Sequence, residues 1–171
     1  MRNEWQRLKR SLGHATRGIC YTVKTQRNMQ IHVVMALLVL FLGWFLAVPK
    51  GDVLLVFFSV FLVLILETVN TAIEKTVDLV VGEKRHPLAK VAKDAAAGAV
   101  LFAAILSILV GVYVFFEPLW QFIQNGERRM IHIRDRDSAA FFLTVAGMCI
   151  FVLWLVAQIF RPEKRRMTDD G

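Results

Sequence analysis

The sequence lacks the short motifs by which most soluble enzymes bind phosphate or activate a nucleophile. It contains no G-x-x-x-x-G-K-[ST] phosphate loop and no G-x-G-x-x-G dinucleotide loop. The H-E-x-x-H zinc motif and the G-x-S-x-G nucleophile elbow are also absent. These absences exclude the commonest nucleotide-binding, zinc-peptidase and serine-hydrolase designs, so any chemistry must come from a different arrangement of side chains.

Cysteine and charge are also scarce. Cys20 and Cys149 lie far apart, so they provide neither a metal-binding spacing nor a disulfide framework. Charged residues make up 20% of the chain, whereas hydrophobic residues make up 56% and fall in continuous runs. Such runs are typical of an integral membrane protein rather than of a soluble domain.

The basic residues are concentrated next to the apolar runs. The net charge is +7, and 15 of the 21 lysines and arginines lie in residues 2–27, 84–93 and 161–166. Basic segments beside apolar runs face the cytoplasm under the positive-inside rule. We therefore expect a cell-membrane (inner-membrane) protein with both termini cytoplasmic, and we expect no nucleic-acid partner.

The apolar pattern predicts an all-α membrane protein with several spans. Residues 3–25 combine apolar residues at helical spacing with lysine and arginine, which predicts an amphipathic helix lying on the membrane surface. Residues 1–116 form the expected core, with spans at about 31–48, 53–73 and 95–116. Beyond them we expect an external polar segment at 117–138, an extra C-terminal span at 139–160 and a basic cytoplasmic tail at 161–171.

One polar stripe interrupts the second span. On a helix with about 100° per residue, its members share one arc: Glu67, Asn70, Thr71, Glu74 and Asp78. Counting about 20 residues from Val53 places the inner boundary near Ala72, so Glu67 lies in the apolar slab and Glu74 just beyond it. Ionisable groups at this depth indicate a functional site, although a helix leaving the bilayer with a solvated face is the structural alternative.

The stripe and the nearby cations suit phosphoryl transfer. Carboxylates hold Mg²⁺ through nucleotide phosphates, and lysine or arginine neutralises those phosphates. Lys93 and Asp94 directly precede the third span, at the level predicted for Glu74. This set of groups is suited to phosphorylating a membrane alcohol at the cytoplasmic interface.

Three segments resemble the bacterial integral-membrane diacylglycerol kinase and undecaprenol kinase family. They are residues 67–74 (ETVNTAIE) with Val77 and Asp78, residues 86–101 (HPLAKVAKDAAAGAVL) and residues 24–32 (KTQRNMQIH). The resemblance covers roughly residues 7–112 and implies a surface helix, three spans and a homotrimer whose active sites are shared between subunits. ATP and Mg²⁺ would act with a membrane lipid. The HPLAK segment is more like the undecaprenol kinase branch, but the choice between undecaprenol and diacylglycerol stays open.

The resemblance also implies roles for individual residues. Glu67 would be the catalytic base, and Glu74 with Gln26 would bind the metal. The nucleotide-binding positions would be Arg7, His14, Gln26, Glu74, Glu83, His86, Lys93 and Asp94. Asn70 and Arg10 would contact the substrate or support the site. The family usually has a glutamate where this chain has Gln26.

Two other functions compete with an ATP-dependent lipid kinase. The first is a non-catalytic membrane scaffold that keeps the kinase fold and uses its fourth span for assembly. The second is a small transporter that uses the acidic stripe as a proton relay. Transport would need polar groups across the outer half of the spans, and residues 53–66 supply only Ser59.

Overall fold

The described part of the chain is entirely helical apart from short connections. The computed structural model describes residues 2–46, 48–82, 84–125 and 147. The helices are α1 (Arg2–Thr25), α2 (Arg27–Phe45), α3 (Lys50–Val81) and α4 (Pro87–Asn125). The expected fourth span and basic tail lie outside the described residues, as does Glu83.

Three of these helices, α2, α3 and α4, are long and apolar enough to cross a membrane. The expectation of an all-helical membrane protein is therefore confirmed for the described residues. With 32 residues, α3 is about 48 Å long, well beyond the about 30 Å of a hydrocarbon core. Helix α4 continues through Pro118 to Asn125, so the first part of the expected external segment is helical.

Helices α1 and α2 meet at a single residue, Gln26, whose backbone is extended with φ −102° and ψ 116°. The Gln30 side-chain nitrogen donates to the Val23 carbonyl at 3.2 Å and to the Lys24 carbonyl at 3.3 Å. Carbonyls at the end of a helix have no partner within it, so Gln30 supplies one from the next helix. Val23 also packs in a buried cluster with residues of α2.

A buried apolar cluster joins α2, α3 and α4 near the α2–α3 turn. It contains Ala36, Leu40, Val48, Val53, Val56, Val60, Val114 and Phe115. A Cβ added at Gly43 would meet the Phe115 ring at 3.8 Å, so the small residue brings the α2 backbone close to that ring. Large apolar side chains on the outer surfaces, such as Leu54 and Phe102, are exposed, as expected for surfaces that face lipid.

The chain reverses between α3 and α4 at Gly82. This glycine has φ 59°, and its N–H donates to the Asp78 carbonyl at 2.9 Å. A positive φ is readily adopted by glycine and strained for other residues. The His86 ring nitrogen Nδ1 then accepts a hydrogen bond from the Leu88 N–H at 3.2 Å and caps the start of α4. This short reversal makes α3 and α4 antiparallel neighbours.

Candidate active site

The C-terminal half of α3, the inner half in the expected topology, buries polar side chains that an apolar helix would not need. Glu67 is 2% exposed, Thr71 3% and Asn70 6%. The Thr71 hydroxyl donates to the Glu67 carbonyl at 2.9 Å, so its polarity is satisfied within the helix. The side chains of Glu67 and Asn70 must find partners elsewhere.

Both side chains line a pocket between α2, α3 and α4, with a volume of about 270 Å³. The lining residues are Asn28, Ile31 and His32 from α2, Glu67 and Asn70 from α3, and Ala97, Val100, Leu101 and Ala104 from α4. Helix α4 contributes only apolar side chains, and α2 and α3 contribute the polar ones. A molecule with an apolar chain and a polar end matches such a lining.

Two oxygen atoms of the residues that line this pocket have no hydrogen-bond partner. They are Oε2 of Glu67 and Oδ1 of Asn70, and both atoms are buried. A buried acceptor without a partner costs about 1–3 kcal/mol, more when it is charged. Unsatisfied groups of this kind are rare in folded proteins, and here both are acceptors. A ligand that donates a hydrogen bond would satisfy at least one of them.

The Asn70 amide connects the pocket to a second carboxylate. Its nitrogen Nδ2 donates to Glu74 Oε1 at 3.1 Å. The nitrogen must be the atom that faces this carboxylate, because the amide oxygen would be repelled by it. Glu74 is half-buried. A polar line of side chains therefore runs along one face of α3 from Glu67 through Asn70 to Glu74, with a hydrogen bond between the last two.

An ion pair connects α3 and α4 beyond this line. The Lys93 ammonium donates to the Asp78 carboxylate across the two helices. Lys93 is half-buried and Asp78 is exposed. The pair holds a cation on the same face of α3 as Glu74, one turn further along the helix.

The structure brings together some of the predicted site residues and not others. Glu67, Asn70 and Glu74 form the polar line, and Lys93 lies one turn beyond it. The exposed residues of α1 bond within their own helix: Arg7 to Glu4, Arg10 to the Gln6 carbonyl and His14 to Arg17. His86 caps α4, Asp94 is exposed, and Glu83 is outside the described residues.

The oxygen atoms of Glu74 and Gln26 fit a Mg²⁺ ion only if it arrives with a nucleotide. Within the helices that the structure describes, no three histidine, cysteine or acidic side chains cluster so that they could hold a metal. Glu74 offers a carboxylate, and Gln26 is half-buried with no capping hydrogen bond from its side chain. Mg²⁺ commonly takes one or two protein oxygens and completes its shell with phosphate and water.

Sequence reasoning missed two pocket residues, Asn28 and His32. They are four residues apart on α2, and the structure places both in the pocket lining with Glu67. Asn28 is exposed and His32 is half-buried. Both lie within residues 24–32, the segment that carries part of the family resemblance. Their spacing of one helical turn was the available signal.

The chain is similar to several known proteins. The model of the prokaryotic diacylglycerol kinase family matches residues 13–115. The undecaprenol kinase of Bacillus subtilis is 44% identical over 118 residues, which cover 69% of this chain and 95% of that protein. The diacylglycerol kinase of Synechocystis is 42% identical over 121 residues, covering 69% of each chain. That of Haemophilus influenzae is 32% identical over 107 residues, covering 62% of this chain and 90% of that protein. No solved structure matches the chain.

Proposed function

The chain belongs to the prokaryotic diacylglycerol kinase family and is a lipid kinase, and we propose that it transfers the γ-phosphate of MgATP to a membrane lipid alcohol at the cytoplasmic interface. One observation carries this proposal. The buried Oε2 of Glu67 lacks a hydrogen-bond partner, and Glu67 lines a pocket whose α4 wall is apolar. A lipid alcohol brings both missing features, a hydroxyl donor and an apolar chain.

In the proposed mechanism, Glu67 is the general base. The lipid hydroxyl donates a hydrogen bond to the Glu67 carboxylate, and the hydroxyl oxygen attacks the γ-phosphorus. The new O–P bond forms as the bond to the ADP oxygen breaks, and the hydroxyl proton passes to Glu67. Because an alcohol is not acidic, the base takes the proton during the attack rather than before it.

The nucleotide would bind on the Glu74 side of the polar line. We propose that Glu74 and Gln26 hold Mg²⁺, which would neutralise charge on the phosphates. Lys93 would turn from Asp78 to a phosphate oxygen. Asp94, His86 and Glu83 would contact the nucleotide near the start of α4. Residues of α1, namely Arg7, Arg10 and His14, would complete the site in a homotrimer whose sites are shared between subunits.

Undecaprenol is the first candidate for the lipid, and diacylglycerol is the second. The relative named undecaprenol kinase is 44% identical over 118 residues, and the Synechocystis diacylglycerol kinase is 42% identical over 121 residues. The HPLAK segment favours the same branch. A pocket of about 270 Å³ between the helices suits the alcohol end of either lipid, with the remaining chain lying in the bilayer.

Phosphate transfer from labelled ATP in lipid nanodiscs tests this proposal. The protein is incubated with MgATP and either undecaprenol or diacylglycerol, and labelled lipid phosphate is counted. We expect transfer to both, with undecaprenol preferred. Absence of transfer to any lipid alcohol would favour the scaffold function. No observation supports a transporter, because the buried polar side chain between residues 53 and 66 is Ser59 alone.

We also propose an inner-membrane location with both termini cytoplasmic and α1 on the cytoplasmic surface. On α1, Trp5, Leu8 and Leu12 are at least 50% exposed, which leaves an apolar face available to lipid. An Asn125→Cys variant lacking Cys20 and Cys149 should react with an impermeant thiol reagent in intact cells. Reaction only after membrane disruption would contradict this topology.

A further inference from the structure

Asn70 lies between two carboxylates that serve different parts of the proposed reaction. Glu67 is three residues before it and Glu74 four residues after it on the same face of α3. The amide nitrogen is engaged by Glu74 Oε1 at 3.1 Å, while the amide oxygen is buried without a partner. Asn70 and Glu67 both line the pocket, and each has one buried acceptor oxygen without a partner.

Two acceptors do not match a single alcohol group. A hydroxyl has one hydrogen to donate, and its oxygen accepts hydrogen bonds. If the hydrogen goes to Glu67, the Asn70 oxygen still has no partner and faces a second acceptor. If the amide turned over, its nitrogen would donate to the alcohol oxygen, but its own oxygen would then face the Glu74 carboxylate and would be repelled unless a cation lay beside them.

The amide can turn only when Glu74 releases its nitrogen. In the absence of a ligand, the negative charge of Glu74 holds the nitrogen in a charge-assisted hydrogen bond. A Mg²⁺ ion bound to Glu74 would draw on the same carboxylate oxygens and weaken that bond. Binding of Mg²⁺ and nucleotide at Glu74 would thereby decide whether the amide oxygen or the amide nitrogen of Asn70 faces the lipid.

We propose that Asn70 is a positioning residue that couples the two substrates. When Mg²⁺-nucleotide engages Glu74, the Asn70 amide rotates and its nitrogen donates to the lipid alcohol oxygen, whose hydrogen is held by Glu67. The lipid and the nucleotide then strengthen each other's binding by the same factor, as linkage requires. This inference rests on the proposed function and adds to it a coupling between the two substrates, in which each promotes the binding of the other.

Binding measurements test the coupling without turnover. The dissociation constant of dioctanoylglycerol or farnesol is measured in nanodiscs, with and without Mg²⁺ and a non-hydrolysable ATP analogue. We expect the constant to fall about fivefold or more when the analogue and Mg²⁺ are present. In Asn70→Ala and Asn70→Asp, the ratio of the lipid dissociation constant without the analogue and Mg²⁺ to that with them should fall to about one. The aspartate keeps the size of the side chain but, when ionised, has no hydrogen to donate.

Asn28→Ala is the matched control, because Asn28 is an amide that lines the same pocket from α2. It can weaken lipid binding, but it should preserve the ratio between the two dissociation constants. A ratio that persists in both Asn70 variants and disappears in Asn28→Ala would overturn the inference and assign the donor to α2.

A spectroscopic measurement follows the amide directly. The ¹⁵N side-chain resonance of Asn70, identified by its loss in Asn70→Asp, should shift when the analogue and Mg²⁺ are added without lipid. The analogue without Mg²⁺ should leave it unchanged. A wild-type protein that phosphorylates lipid but has a binding ratio of about one would overturn the coupling and leave the kinase function intact. Failure of phosphate transfer would instead count against the proposed function.

Discussion

The two halves of α3, named outer and inner after the proposed topology, bury their side chains in opposite ways. In the outer half, Val53, Val56 and Val60 pack with residues of α2 and α4 in one apolar cluster. The polar residue of that half, Ser59, donates to the Val56 carbonyl at 2.9 Å and contacts the Ser107 hydroxyl at 3.5 Å. In the inner half, Glu67 and Asn70 are equally buried but each leaves an oxygen without a partner.

Along this one helix, the residues that stabilise the bundle are therefore separate from the residues proposed to act in the reaction. In the outer half, which the structure describes in full, no buried side-chain oxygen or nitrogen lacks a partner, and the apolar side chains stabilise the bundle by packing together. The inner half keeps unsatisfied acceptors that lower stability, as functional sites commonly do. Substitutions in the outer half should therefore change the free energy of unfolding, and those in the inner half should change turnover.

The largest effect on stability is expected at Phe115. Its ring is 6% exposed and packs in the apolar cluster. Phe115→Ala should lower the free energy of unfolding by roughly 3 kcal/mol, because the lost ring leaves a cavity. Phe116→Ala is the control: Phe116 is 64% exposed and should cost far less. Equal losses in a denaturant titration would mean that the outer cluster does not determine stability.

The largest effect on turnover is expected at Glu67. Glu67→Gln keeps the size and the hydrogen-bonding capacity of the side chain but removes its basicity. Turnover should fall about 10²-fold or more, with little change in nucleotide affinity. The free energy of unfolding should not decrease, because a neutral amide costs less to bury than a charge. Near-normal turnover of the purified variant would contradict the assignment of Glu67 as the base.

A smaller effect is expected at Gln26, where the inner half of α3 would meet the α1–α2 joint. Gln26→Glu adds a negative ligand and should lower the Mg²⁺ concentration for half-maximal activity severalfold, whereas Gln26→Ala should raise it. Mg²⁺ is titrated at fixed MgATP. The same midpoint in all three proteins would place Gln26 outside the metal shell and leave it a role at the helix junction.

The smallest effect is expected at Ser59, the polar exception in the outer half. Its hydroxyl bonds within α3 and touches Ser107 of α4. Ser59→Ala should change the free energy of unfolding by about 0.6 kcal/mol, the average for hydrogen bonds between membrane helices. Turnover should stay unchanged. A large loss of kinase activity would show that chemistry extends into the outer half and would revive the transporter hypothesis.

Sequence reasoning succeeded where one helix carries the information. The arc shared by Glu67, Asn70 and Glu74 follows from helical spacing, and the structure buries Glu67 and Asn70 and joins Asn70 to Glu74. Apolar runs likewise predicted the three helices that are able to cross a membrane, which is confirmed. Both results depend on periodicity and length, which a sequence displays directly.

Contacts between helices were harder to predict. Helix α2 is apolar on all sides after His32, so its sequence does not indicate which face meets α3. For that reason Asn28 and His32 were missed as pocket residues. The Lys93–Asp78 pair depends on the reversal at Gly82, and the capping role of His86 depends on where α4 begins. These contacts depend on how the helices pack together, so the sequence of a single segment does not reveal them.

The joint between α1 and α2 has a mechanical consequence. Because the Gln30 side chain donates hydrogen bonds to the Val23 and Lys24 carbonyls near the end of α1, these bonds restrain the angle between the two helices. In the proposed topology, α1 would meet the bilayer surface already oriented and would lose little rotational freedom on contact. The surface helix would then move together with the first span. A force from the headgroup layer on the apolar face of α1 would be transmitted to Gln26.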